Sequence, residues 1–224
     1  MKTYDVERTD RQVPLTGDVS DTPWEATAVA TLNEFNWYES GPQLEATARA
    51  LYDAEALYLL FHVEDQSISA SVTELNGPTF EDSCVEFFAT PASRHPNHYL
   101  NFEANCCGTF KLAWQKRGWQ VRGLDRDLVT PSLAADVRVA ASEPGPTRQP
   151  TADDESWWLA AEIPFAVLRA LTGLPFTPDT GSVWRANFHR TGVETPSQEV
   201  TWNPVDTDEP KFHSPECFGR LRFQ

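Results

Sequence analysis

The stretch LEATARALYDAEALYLLFHVED, residues 44–65, decides the fold. From Leu44 to Asp53 small or apolar residues alternate with polar ones, the period of a strand with one covered face. Asp53-Ala54-Glu55-Ala56 has turn composition, and Leu57 to Asp65 then runs back almost wholly apolar. An apolar run of that length wants cover on both faces, so the hairpin's second strand belongs at the centre of a sheet. Working outward, CVEFFAT (84–90) and YLNFEANC (99–106) read as two further strands joined by a polar loop from Pro91 to His98. FKLAW (110–114), WQVRG (119–123) and ADVRVAAS (135–142) continue the series. After the proline- and acid-rich segment 142–156 come WWLAAEIPF (157–165), VWRANFHRTG (183–192), EVTW (199–202) and FGRLRF (218–223). FAVLRALTG (165–173) has helical spacing and a closing glycine, which predicts one short helix. Seventeen prolines exclude a long helical bundle. Segment 142–156 reads as an excursion, because neither side of it holds a closed set of strands. The expectation is an all-β fold: an antiparallel, jelly-roll-like β-sandwich with one short helix, residues 1–224 forming a single domain.

Net charge is −15 and the isoelectric point about 4.6. A surface that negative repels phosphate backbones and anionic lipids, which argues against nucleic acid or a membrane as partner. It suits a neutral ligand, a cation, or simple solubility. The opening MKTYDVERTD has no apolar run, so the chain as written reads as cytoplasmic, and as secreted if a leader is missing. Cys84, Cys106, Cys107 and Cys217 lack zinc-ribbon spacing and read as reduced thiols, with a Cys84–Cys106 bridge as the alternative.

There is no glycine-rich phosphate loop, no G-x-S-x-G elbow and no H-E-x-x-H. Met1 is the only methionine, which removes an internal Met/His haem site. His95 and His98 form an H-x-x-H across a Pro-Asn in a loop, a candidate zinc pair set against a solvated loop. The acids of FEDSCVEFF (80–88) are the enzyme candidates. Asp82 and Glu86 are four apart and could share a strand face, with Glu103 joining from the next strand, and a glycosidase needs two such acids. A second pattern competes with that one. Trp37, Phe80, Tyr99, Trp202 and Phe212 flank loops or strand ends beside Asn36, Asn101, Asn203 and His213. Aromatic faces stack on the C–H faces of a sugar ring while amides and carboxylates bond its hydroxyls, although any single such ring is more often core.

The ordered set LTGDVSDTPW (15–24), the hairpin 44–65, FEDSCVEFF, YLNFEANCCGT, RANFHRTG (185–192), TWNPV (201–205) and FHSPECFGRLRF (212–223) resembles the family 9 carbohydrate-binding modules, in particular a family 9-like bacterial branch. The resemblance implies a β-sandwich, often calcium-stabilised and often appended to xylanases. It implies two aromatic rings clamping a pyranose, tryptophans in the sugar-binding members. Matching around D-S-x-V-E puts Phe80 at the first clamp position, and matching back from F-G-R-L-R puts Phe212 at the second. The family's Arg-x-Asn falls on Tyr99 and Asn101, so the arginine is not kept. The expected ligand set is therefore Phe80, Tyr99, Asn101, Glu103, Phe212 and His213, with Trp37 and Trp202 supplying further aromatic surface. The expected function is non-catalytic binding of a mono-, oligo- or polysaccharide, a pyranose held between aromatic side chains at a sheet-edge cleft, with a partner glycosidase and a structural calcium ion as added implications. The alternative is an endo-xylanase-like hydrolase using a carboxylate pair on the 80–103 strands.

Overall fold

The structure, a computed structural model, describes residues 1–38, 40–91, 95–116, 126–192 and 199–224. Thirteen strands are present among the described residues: β1 Thr3–Arg8, β2 Ala30–Leu32, β3 Ala46–Tyr52, β4 Ala56–Glu64, β5 Cys84–Thr90, β6 Tyr99–Asn105, β7 Phe110–Gln115, β8 Arg126–Leu128, β9 Arg138–Ala141, β10 Ser156–Pro164, β11 Val183–Thr191, β12 Val200–Thr201 and β13 Gly219–Phe223. Their order is β8-β7-β6-β5-β11-β13-β1-β3-β4-β10-β9, with β12 beside β11 and β2 beside β3. The strand read at 119–123 lies outside the described residues.

The predicted hairpin is β3–β4, in antiparallel register from Ala46↔Val63 to Tyr52↔Leu57. Asp53 closes it by accepting hydrogen bonds from the Glu55 and Ala56 amides at 2.7 and 2.8 Å, the Asx geometry its side chain favours. β4 is flanked by β3 and β10, so its apolar run is central as expected.

The first strand departs from the antiparallel expectation. Thr3 to Val6 pair in parallel with β13, while Glu7 and Arg8 pair in parallel with β3. β1 therefore passes from one half of the sandwich to the other and joins both into a single curled sheet. Phe188 of β11 marks where the halves meet, with Phe87 at 5.2 Å, Phe61 at 6.0 Å and Tyr4 at 5.9 Å between ring centroids.

Among the described residues two α-helices are present rather than one. α1 (Pro131–Ala134) is a single turn capped by the Thr130 hydroxyl, and α2 (Phe165–Thr172) is the predicted helix. Phe165, Val167, Leu168 and Leu171 of α2 are buried, and Gly173 ends it at φ 68°, the left-handed conformation glycine adopts without strain.

Chain segments cover the outer faces of both halves. Val13, Leu15, Val19 and Trp24 pack over Leu51, Tyr58, Leu60 and Ala160. Gly17 is required there, since a Cβ would come within 2.4 Å of the Trp158 ring. On the other half Phe218 and Phe212 lie over Phe88 and Tyr99. All seven residues of β5, and all seven of β6, are consequently buried. No helix among the described residues is long and apolar enough to cross a membrane, which leaves β-barrel membrane proteins unaddressed.

Candidate functional site

Strand alternation turns Val85, Phe87 and Ala89 of β5 toward the core, so Cys84, Glu86 and Phe88 point to the outer face. Register then sets Glu86 opposite both Glu103 of β6 and His189 of β11, and Glu103 opposite Lys111 of β7. Glu86, Glu103 and Lys111 are each no more than 6% exposed, a concentration of buried charge that ordinary exposed sheet faces lack.

Glu103 is fully engaged. It accepts from Lys111 Nζ at 2.8 Å, Asn101 Nδ2 at 2.9 Å and Thr79 Oγ1 at 3.4 Å. Among the described residues Glu86 accepts one hydrogen bond, from Thr191 Oγ1 at 3.3 Å, and forms no salt bridge. Burial, and then the neighbouring Glu103, push its carboxyl well above the ordinary range. A buried carboxyl without a cation is most stable protonated.

Above these acids lies a cleft of about 430 Å³ lined by Phe80, Glu86, Glu103, Thr191, Glu199, Pro210, Lys211, Phe212 and His213. Phe80 comes from the short 3-10 turn Thr79–Glu81 and is 49% exposed, unusual for so apolar a ring. Lys111 Nζ sits 5.3 Å from its centroid, a cation–π contact. Phe212 comes from the segment after β12 and stacks on His189 at 4.4 Å with 15° between the planes. His189 is fully buried with neither ring nitrogen hydrogen-bonded, and burial holds it neutral by lowering its pKa well below the usual value. His213 stacks on Phe88 at 5.0 Å, and its Nδ1 lies 2.8 Å from the Tyr99 hydroxyl. Burial lowers its pKa to about 4.

The structure thus brings Phe80, Phe212, His213 and Glu103 of the expected set to one cleft, and leaves the others elsewhere. Tyr99 and Asn101 are buried beneath it, Tyr99 against Phe88 and Phe218 and Asn101 on the Glu103 carboxylate. Trp37 stands behind Phe212 at 5.9 Å, and its indole N–H donates to the Thr207 carbonyl at 2.8 Å. Trp202 is a correction: at 4% exposure it is core, edge-on to Tyr4 and Phe188. The hydrogen bond from its amide to the Phe188 carbonyl holds that stretch against β11 with the indole turned inward. The cleft also lies over the middle strands β5, β6 and β11 rather than at a sheet edge. Glu86, Thr191 and Glu199 were missed as ligand candidates. Glu86 had been read only as a catalytic acid, and the facing of strands is a long-range property.

Asp82 does not pair with Glu86. It accepts from the Ser71 and Val72 amides and from Asn105 Nδ2 at 2.8, 3.1 and 2.8 Å, and so pins a loop to β6. Asp65 and Asp154 do not fit a calcium ion either, because donors already fill their oxygens. Asp65 accepts from Arg190, Ser83 and Trp157, and Asp154 from Arg148, Ile68 and Thr151. His95 and His98 have rings 5.1 Å apart, but no group of three or more metal-ligating side chains occurs among the described residues. All four cysteines are free, with Cys84 and Cys106 buried and Cys107 and Cys217 half-buried, so the Cys84–Cys106 bridge is not formed.

The model of the family described as "Carbohydrate-binding family 9" matches residues 22–223. No curated protein matches the chain. Among solved structures, a candidate carbohydrate-binding protein from Bacteroides uniformis superposes with a TM-score of 0.80 at 24% identity, over 100% of this chain and 99% of that one. A family 9 carbohydrate-binding module from Caldicellulosiruptor kristjanssonii superposes in two forms, both at 14% identity and over 100% of this chain. Its cellotriose complex gives 0.64 over 94% of that chain, and its glucose complex 0.61 over 96%.

Proposed function

The chain belongs to carbohydrate-binding family 9, and from that premise we propose that it binds a pyranose, without turnover, in the cleft between Phe80 and Phe212. One observation carries this reading: two aromatics from motifs far apart in the chain line one cleft, with buried carboxyls beneath them. The cleft volume of about 430 Å³ falls in the range of small-molecule sites, roughly 300–1,000 Å³. Phenylalanine offers a pyranose less stacking surface than tryptophan and no indole N–H. Polar contacts from Glu86, Glu103, Thr191 and His213 make up part of that difference. Each sugar hydroxyl exchanges water for protein partners at a net gain of only about 1 kcal/mol, so the expected affinity is micromolar to millimolar, roughly −4 to −8 kcal/mol. The same reading includes a partner glycosidase, whose substrate such a module would hold.

Calorimetric titration with glucose and cellotriose, the ligands of the Caldicellulosiruptor structures, tests the proposal. Saturable binding by the wild type and a loss of tenfold or more in Phe80→Ala support it. Absence of binding to either sugar and to a wider glycan panel overturns it.

A further inference from the structure

The carboxyl groups of the cleft outnumber what a neutral sugar requires. Glu86, Glu103 and Glu199 all line it. Among the described residues Lys111 is the one buried cation beside them, and its ammonium is committed to Glu103 and to the face of Phe80. Lys211, on the rim, is exposed and its charge is screened by water. Among the described residues every other group packed around Glu86 is neutral or an acid: Cys84 on its own strand, His189 and Thr191 on β11, and Glu199 beyond them. His213 is held neutral by burial at physiological pH.

Glu86 is 3% exposed yet reaches the cleft, and its only hydrogen bond is the one from Thr191 to Oε1. Its second oxygen has no partner among the described residues, and neither does the half-buried carboxyl of Glu199. A buried acid facing a cavity, with no salt-bridge partner among the described residues, is the complement of a cationic ligand group.

Resting on the sugar-site reading above, we propose that the preferred ligand is an amino sugar, a pyranose carrying a protonated amine that docks against Glu86 and Glu199 while its ring lies between Phe80 and Phe212. The ammonium replaces the proton that burial keeps on Glu86. Neutral Glu86 and the ammonium ion give a carboxylate–ammonium pair, and one proton passes to the solvent. A neutral sugar or an N-acetylated one leaves that proton in place. Ligand charge and proton release are therefore linked.

Matched pairs test this by calorimetry at pH 7: glucose against glucosamine, galactose against galactosamine, and cellotriose against the chitosan trimer, with N-acetylglucosamine as the uncharged control. The expected result is at least tenfold tighter binding of the amine in one or more pairs, with N-acetylglucosamine no better than glucose. Repeating the titration in two buffers of different ionisation enthalpy should show a proton released on binding the amine and none on binding the neutral partner. In Glu86→Gln the advantage of the amine should shrink to threefold or less. Equal affinity within every pair, with neutral sugars still bound, overturns the amino-sugar proposal and leaves the sugar site standing. Binding of neither member of any pair overturns the sugar site itself, and this proposal with it.

Discussion

Glu86 and Glu103 stand directly opposite one another on neighbouring antiparallel strands, both 3% exposed, and among the described residues Lys111 makes its salt bridge with Glu103. Directly opposed strand residues have Cβ atoms about 4.5–5.5 Å apart, close enough that two ionised carboxyls repel strongly. One cation leaves one surplus proton, and burial places it on Glu86.

That arrangement makes stability depend on pH in a direction that can be worked out. Glu86 has a folded pKa above its unfolded value, so its contribution is fully present below the unfolded pKa and is lost as pH rises toward the folded one. Glu86→Gln keeps the acceptor for Thr191 and removes the titration. It should match the wild type at pH 4 and melt higher at pH 8, by about 2–4 °C for each kcal/mol relieved. The histidines act in the opposite sense. His213 titrates near 4 when folded, so stability falls as pH drops from about 6.5 toward 4, equally in both proteins. Thermal melts at the two pH values decide it, and a variant less stable than wild type at pH 8 would contradict the assignment.

Phe80 and Trp202 should separate binding from folding. Phe80 is half-exposed, so Phe80→Ala should weaken sugar binding tenfold or more with little change in melting temperature. Trp202 fills core between Tyr4 and Phe188, close enough to Gly219 that a Cβ there would come within 2.6 Å of its ring. Trp202→Ala should cost about 3–5 kcal/mol of stability. Denaturant titrations alongside calorimetry measure both, and a stable Trp202→Ala that merely loses sugar would return that ring to the site.

The hairpin and the α2 helix were legible in the sequence because their signals are local: a period of two, an Asp53 turn, a glycine at the left-handed cap. β1 was not, since TYDVER is short, half polar and stabilised by two parallel neighbours that local pattern cannot reveal. α1 carried a Thr130-Pro131 start signal but is only one turn long. Motif order pointed to Phe80 and Phe212, which line one cleft. Trp202 was misjudged because an aromatic at a strand end gives no sign of which face it takes. The opposition of Glu86 to Glu103 depends on register across two strands, and the burial of both depends on a covering segment more than 100 residues downstream.

The loop acids carry a prediction about metal. Asp65 is 3% exposed and holds Arg190 at 3.1 Å, and Arg190 is itself 1% exposed. Removing one member of such a pair strands the other, at about 3–5 kcal/mol. Arg190→Met should therefore destabilise the protein by that amount. Because N–H donors already occupy the oxygens of Asp65, Asp82 and Asp154, excess EDTA should leave the melting temperature unchanged. A drop of several degrees that calcium restores would show a metal site on other groups.

Trp37 supplies the last test, because it reaches the cleft only through Phe212. Its ring packs 5.9 Å from Phe212, and its N–H holds the Thr207 carbonyl at 2.8 Å, tying the covering segment to the loop after β2. His189 supports Phe212 from another side at 4.4 Å, so the ring is seated by two aromatic neighbours before any ligand arrives. A preseated ring loses less freedom on binding, roughly 0.5–1.5 kcal/mol for an immobilised side chain. Trp37→Phe should keep the ring contact, lose only the hydrogen bond and weaken sugar binding about two- to threefold. Trp37→Ala should lose both and weaken it about three- to tenfold. In each variant amide hydrogen exchange should rise across residues 206–214 and stay unchanged on β5 and β6. Unaltered affinity in Trp37→Ala, with faster exchange at 206–214, would mean that Phe212 takes its place in the cleft without that support.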